Sequence, residues 1–217
     1  MNTVVTRSYI IPNVNMNTSP PVLDITEYYL PLNLSLVFGN QTESALEIGS
    51  GDGDFLIEMA RRKADWNFIG IEIKGKRFRK AVRRAEGEKI RNVKFLVMDA
   101  QIAIEEVFPS NTFIEVYINF PDPWPKEKHK KHRIINTDFI EKLSLIMKPE
   151  GVLEVASDHK EYISYILDVL DKMSMFRCAF PSPGYVSGLT NRPHTKYEME
   201  FREKGKEIYY LRFVRTP

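Results

Sequence analysis

The stretch "SALEIGSGDGDFLIEMARRK", Ser44–Lys63, decides the fold. A short apolar run from Ala45 to Ile48 meets glycines at alternate positions, Gly49, Gly51 and Gly53. Apolar Phe55, Leu56, Met59 and Ala60 then return at helical spacing, which predicts strand, tight loop and helix in succession. Such glycines let the backbone turn sharply and let a ligand approach the main chain with no Cβ in the way. The spacing is GxGxG, whereas a dinucleotide fingerprint reads GxGxxG. Glu47, Asp52 and Asp54 surround the glycines. Negative charge there repels a pyrophosphate and favours a ligand that carries an ammonium or a sulfonium.

Outward from this stretch the strand and helix patterns alternate. "WNFIGIEI" is the next buried strand, "KGKRFRKAVRRAEGEK" a basic helix, "VKFLVMDA" a third strand and "FIEVYINF" a fourth. "NTDFIEKLSLIMK" reads as a helix capped by Asn136 or Thr137, and "GVLEVASD" as a fifth strand. "KEYISYILDVLDKM" is a helix with Tyr162, Ile163, Ile166, Leu167 and Leu170 on one face. "MFRCAF" and "EIYYLRFVR" complete the sheet as an antiparallel closing pair. The alternation predicts an α/β fold with a mostly parallel sheet covered on both faces.

At 217 residues and 43% hydrophobic content the chain can bury one substantial core. Residues 1–22, rich in Asn, Thr, Ser and Pro, are expected as an irregular arm, and 23–217 as a single domain. A formal net charge of +2 leaves partner choice to the distribution of charge rather than its sum. The single cysteine, Cys178, excludes an internal disulfide and a multi-cysteine zinc site, and its neighbours read as a short buried strand. No secretory signal pattern is present, and no apolar run approaches the ~20 residues of a membrane helix, so a soluble cytoplasmic protein without a membrane role is expected. The apolar helix faces are all used by the core, which is compatible with a monomer or a homodimer.

The second strand ends in Glu72, 21 residues beyond Gly51. In a doubly wound sheet this carboxylate emerges at the C-terminal edge, where it can accept hydrogen bonds from both hydroxyls of a ribose. Asp99, followed by Ala100, ends the third strand at the same edge, where an adenine amino group is a suitable donor. Acids and glycines also end strands for purely structural reasons; here three strand ends converge on one nucleoside-like cation. The order of features resembles the class I, S-adenosylmethionine-dependent methyltransferases. An aminopropyltransferase of closely similar fold is the alternative, and a nicotinamide enzyme a more distant one.

The fourth strand delivers "NFPDPWPKEKHKKHR", Asn119–Arg133, to that edge. Pro121, Pro123 and Pro125 stiffen the backbone and reduce the entropy lost in fixing side chains around a substrate. Asp122 is left as a contact for the edge of a base, and Trp124 as a stacking surface or, more simply, an anchor to the loop's own core. Lys126, Lys128, Lys130, Lys131 and Arg133 follow. Charge runs are usually solvated faces; one adjoining a methyl-transfer site is suited to hold a phosphate backbone. His129 and His132 lack metal-ligand partners at convincing spacing, so no metal is expected.

This segment is similar to the signature of the bacterial tRNA (guanine-N7-)-methyltransferase family. "EIGSGDG", "GIEI", "MDA", "ASDHKEY" and "NRPHTKYEMEF" match further family segments in order, from about Ala45 to Arg212. Glu127 and His132 stand where basic residues are more usual in the family. The resemblance implies a Rossmann-like class I methyltransferase with a seven-stranded sheet and an antiparallel closing strand. It implies transfer of a methyl group from S-adenosylmethionine to guanine N7 of a tRNA, at position 46 in the variable loop. It places Glu47, the three glycines, Glu72, Asp99, Ala100 and Asp122 at the cofactor, with Asp122 also catalytic. Lys126, Asp158, Thr195, Lys196, Tyr197 and Glu198 are placed on the guanosine, and Lys128, Lys130, Lys131 and Arg133 on RNA phosphates. From the residues alone "RPHTKYE" reads as an ordinary loop into the last strand. Two other readings stay open: a non-catalytic RNA-binding module, against which the intact carboxylates count, and an exocyclic-amino methyltransferase, against which the separated prolines of "NFPDPW" count.

Overall fold

The computed structural model describes residues 21–189 and 192–217. Along the chain run α1 (Leu34–Phe38), β1 (Ser44–Ile48), α2 (Asp54–Arg62), β2 (Asn67–Ile71), α3 (Gly75–Gly87) and β3 (Val93–Leu96). They are followed by α4 (Ala100–Ile102), β4 (Phe113–Asn119), α5 (Thr137–Ile146), β5 (Met147–Ser157) and α6 (Lys160–Leu170). β6 (Phe176–Cys178), β7 (Val186–Ser187), α7 (Lys196–Glu203) and β8 (Tyr209–Arg215) complete the order.

The sheet runs β3-β2-β1-β4-β5-β8-β6, with the two-residue β7 pairing to β8. β1 through β5 pair in parallel, and β8 lies antiparallel between β5 and β6. Among the described residues the main path therefore has the seven strands expected from the sequence, and β7 is an eighth. Strand order reverses between β1 and β4, which opens a crevice at their C-terminal ends.

Every residue of β1 and β2 is buried, as a strand covered on both faces requires. Leu46, Ile48, Ile69 and Ile71 pack with α5 and α6 on one face; Ala45, Phe68 and Phe95 pack with Phe55, Leu56 and Ala81 of α2 and α3 on the other. The period of two along each strand divides the apolar residues between these layers. Gly53 turns the chain from loop to helix with φ of +78°, and a Cβ there would lie 2.8 Å from Ala81 Cβ. The backbone conformation and the packing of α2 on α3 both demand glycine at this position.

Four local features differ from the sequence reading. Lys196–Glu203 is a helix, with Thr195 as its N-cap, instead of a loop. Phe176–Cys178 is an edge strand in which Cys178 is only partly buried. The basic run Glu127–His132 winds as a 3-10 helix. Of the expected arm, Pro21 and Val22 are described: Pro21 accepts a backbone hydrogen bond from Phe95 at 2.7 Å and Val22 bridges to Phe95 in parallel, extending the β3 edge. Residues 1–20 lie outside the described residues.

Candidate active site

The parallel register aligns Ile48, Ile71, Leu96 and Ile118, so the residues that follow these positions share one edge. Glu72 leaves β2 there and holds the glycine loop: its Oε2 accepts from Gly51 N at 3.0 Å and its Oε1 from Lys74 N at 2.7 Å. A carboxylate offers about four lone-pair sites, so both oxygens retain capacity for a ligand's hydroxyls. Asp99 caps α4, with Oδ1 accepting from Gln101 N at 2.8 Å. Gly49, with φ of +75°, has nothing within 4 Å of where a Cβ would be, so the loop backbone is open to an approaching group.

A cavity of about 620 Å³ gathers Glu72, Asp99, Ala100, Asp122 and Asp158 along this edge. A smaller one of about 380 Å³ adjoins it, lined by Glu47, Gly51, Asp54, Thr195 and Lys196. Gly49, Arg77, Asn119, Phe120 and Tyr197 belong to the walls of both. Asp122 stands exposed between Phe120 and Trp124, whose φ values of +51° and +41° are unfavourable for side-chain-bearing residues. Such strain persists only where surrounding contacts enforce it. Trp124 does not reach the core; it lies edge-on to His129 and tilted to His132, at ring separations of 5.7 and 5.4 Å.

Arg133 departs from its expected place among the phosphate contacts. It is 5% exposed, donates from Nε to Pro123 O at 2.9 Å, and stacks on Tyr165 and Tyr162 with its guanidinium 4.5 and 4.8 Å from the ring centres. It clamps the proline loop to α6. Lys126, Lys128, Lys130 and Lys131 are exposed, and Lys131 lines the larger cavity. Lys130 forms an ion pair with Glu127.

Glu198, expected against the guanine, is 0% exposed and lines neither cavity. Its Oε1 accepts from Arg202 Nε at 3.0 Å and from the Tyr210 hydroxyl, and also contacts His194. Its backbone N–H donates to Thr195 Oγ1, a capping contact that starts α7. Lys196 N donates to Asp54 Oδ2 at 2.7 Å, which fastens the start of α7 to the first turn of α2. Asp158 at the end of β5 is held by Lys206.

Two residues that sequence reasoning passed over join these parts. Asn119 donates from Nδ2 to Glu47 Oε1 at 2.8 Å and accepts from Arg192 Nη2. Arg192, 5% exposed, pairs with Glu154 at 2.8 Å and lies 4.6 Å over the Phe55 ring. Asn119 ends its strand at the same edge as Glu47 and Glu72, and that register was the available signal; Arg192 had none. Among the described residues no group of three His, Cys, Asp or Glu side chains is placed to hold a metal ion, and no helix is long and apolar enough to cross a membrane.

Glu47 is 2% exposed, and its Oε2 has no hydrogen-bond partner among the described residues. Burial pushes its carboxyl up to about 8; the Asn119 hydrogen bond and Arg192 oppose the rise, and Asp54 and Glu72 add to it. An orphaned buried acceptor facing a cavity beside a glycine loop fits the amino-acid end of S-adenosylmethionine, and the spare acceptor capacity of Glu72 fits its ribose.

Reversed strand order, a glycine loop after β1 and an acid after β2 define a class I, S-adenosylmethionine-dependent methyltransferase. Solved structures share the fold: a 30S ribosomal A1408 methyltransferase from an uncultured bacterium has a TM-score of 0.60 at 18% identity, covering 89% of this chain and 95% of that one. TrmN from Thermus thermophilus has a TM-score of 0.58 at 15% identity, covering 84% of this chain and 46% of that one. Residues 41–211 match the family described as "Putative methyltransferase". A tRNA (guanine-N(7)-)-methyltransferase of Nitrosomonas europaea is 33% identical, with 86% of this chain and 82% of that protein aligned. One from Thermotoga maritima is 33% identical over 86% of this chain, which spans 61% of that relative's length. The chain belongs to the tRNA (guanine-N(7)-)-methyltransferase family, and its methyl donor is S-adenosylmethionine.

Two outcomes follow from this geometry. A raised carboxyl pKa means that, between the ordinary glutamate value of 4.5 and about 8, the folded ligand-free protein holds a proton that the unfolded chain releases, so stability falls as pH rises through that window. Glu47→Gln is therefore expected to raise the melting temperature at pH 8 to 9 and to leave it unchanged near pH 4.5, by thermal unfolding across pH. Arg133→Gln is expected to cost about 2 kcal/mol of stability by denaturant unfolding, whereas Lys131→Ala, at an exposed position, is expected to change stability by less than about 0.5 kcal/mol.

Proposed function

We propose that this protein transfers the methyl group of S-adenosylmethionine to N7 of a guanine in tRNA; methylation of tRNA at guanine N7 is what the names of its relatives state for those proteins. The observation that carries the reading is the convergence of Glu72, Asp99, Asp122 and Asp158 on one cavity whose rim bears Lys74 and Lys131. Glu72 and Asp99 would hold the nucleoside, Glu47 and the backbone of Gly49, Gly51 and Gly53 the amino-acid end, and Ala100 the wall beside the base. Residues 23–217 would act as one catalytic domain, in the cytoplasm, with tRNA as partner.

The donor supplies an electrophilic methyl group when bound. Guanine N7 has an in-plane lone pair, so no proton needs to be removed before attack, and Asp122 is not required as a base. The base becomes cationic as it is methylated. Asp122, held by the flanking prolines and by the Arg133 clamp, would set a carboxylate against one edge of the base, where it can accept from guanine N1 and N2 and offset the charge that methylation at N7 spreads over the ring. Asp158 would support the same base edge, while Lys126, Lys196 and Tyr197 hold the nucleoside. Thr195 and Glu198 contribute as the frame that starts α7, since Glu198 is buried beneath it. Lys128, Lys130 and Lys131 would contact the phosphate backbone.

Incubation of unmodified tRNA with labelled donor, followed by borohydride and aniline, is expected to cleave the RNA at a guanine; labelled RNA that resists cleavage would contradict N7 as the acceptor. Asp122→Ala is expected to lower the single-turnover methylation rate about 10- to 100-fold, ~1.4–2.7 kcal/mol, without weakening tRNA binding. A loss within about threefold would remove Asp122 from the chemistry.

A further inference from the structure

The smaller cavity contains a cation that the proposed function leaves unused. Arg77, on the first turn of α3, is half-buried and reaches back over the glycine loop: its Nη1 lies 3.9 Å from where a Cβ on Gly51 would be. Its guanidinium sits 5.4 Å from the centre of the Tyr197 ring, and Nη2 donates to the Tyr197 hydroxyl. Among the described residues no carboxylate pairs with it. This is unusual in a cavity that also holds Glu47, Asp52, Asp54 and Glu200. The neighbouring charges are committed elsewhere: Lys80 forms an ion pair with Asp52, and Asp54 accepts from Lys196 N.

A guanidinium has five donors in a rigid fork that matches a carboxylate in bidentate fashion. One donor of Arg77 is used by a neutral hydroxyl, and the aromatic face of Tyr197 backs the planar group. The unpartnered Glu47 Oε2 in the same cavity is its chemical complement. We propose that the Arg77 guanidinium receives the α-carboxylate of the methyl donor while Glu47 receives its α-ammonium, so that the smaller cavity reads the amino-acid end as a zwitterion. The assignment rests on the reading of the two cavities as the donor site. Because Arg77 is held by Tyr197 of the substrate segment, the same side chain links occupancy of the donor site to the position of α7.

The test is equilibrium calorimetry of the full chain with S-adenosylhomocysteine and with its decarboxylated counterpart, in which hydrogen replaces the α-carboxylate. Arg77→Gln is expected to weaken S-adenosylhomocysteine about tenfold or more and to leave the decarboxylated ligand within about twofold, collapsing the ratio of the two affinities. Arg77→Lys is expected to restore part of that ratio, a recovery that a merely structural role would not produce. Equal weakening of both ligands, or of neither, would overturn the assignment. So would collapse of the ratio in Lys196→Ala instead. Glu72→Ala serves as the control for the site: it is expected to weaken both ligands alike, and if it weakens neither, the reading of the cavity falls and the Arg77 assignment with it.

Discussion

One buried chain of polar groups fixes the relation between the parts of this site. Glu47 of β1 accepts from Asn119 of β4; Asn119 accepts from Arg192; Arg192 pairs with Glu154 of β5; and Arg212 of β8 reaches the other oxygen of Glu154 at 2.6 Å. Buried charges are costly unless paired and hydrogen-bonded, so each member constrains the next. Arg192 also lies over Phe55 of α2 and 5.2 Å from the Tyr210 ring. The segment entering α7 is thus tied to the strand ends and to the helix that leaves the glycine loop. Glu47 Oε2 has no hydrogen-bond partner among the described residues, and Glu47 lines the smaller cavity, which leaves that oxygen for a cationic ligand under the proposed function.

A second device holds the loop after β4. The backbone of Phe120 and of Trp124 adopts positive φ on either side of Asp122, and the conformation is kept by contacts rather than by glycine. Phe120 N donates to Ala156 O at 2.8 Å, and Arg133 binds the Pro123 carbonyl from its stack on α6. The loop is therefore stiff at both ends. A stiff loop can present a carboxylate to a transition state with little reorganisation.

The frame of this architecture was legible in the sequence because strands covered on both faces leave a strong signal. The apolar runs at Ala45–Ile48, in "WNFIGIEI" and in "FIEVYINF" correspond to β1, β2 and β4, and Asn136 caps α5 with its side chain on Phe139 N at 3.1 Å. α7 was not legible, because Lys196–Glu203 has no wide apolar stripe: its one buried residue is Glu198, a charged side chain whose Oε1 is met by Arg202 one turn on and by Tyr210 of β8. Arg133 was misread for a related reason. Within a run of cations nothing local distinguishes the one that two tyrosines of α6 will cover. Asn119 and Arg192 act through partners more than 70 residues away, a relation that only the folded sheet creates.

Under the proposed function, donor and guanine meet at the edge where β1 and β4 diverge. The direct measurement is a crystal structure of the protein with S-adenosylhomocysteine. Both ribose hydroxyls are expected on Glu72, the α-ammonium on Glu47, and the sulfur facing the loop that carries Asp122. A ligand bound with its ribose away from Glu72, or with its sulfur turned from that loop, would contradict this arrangement.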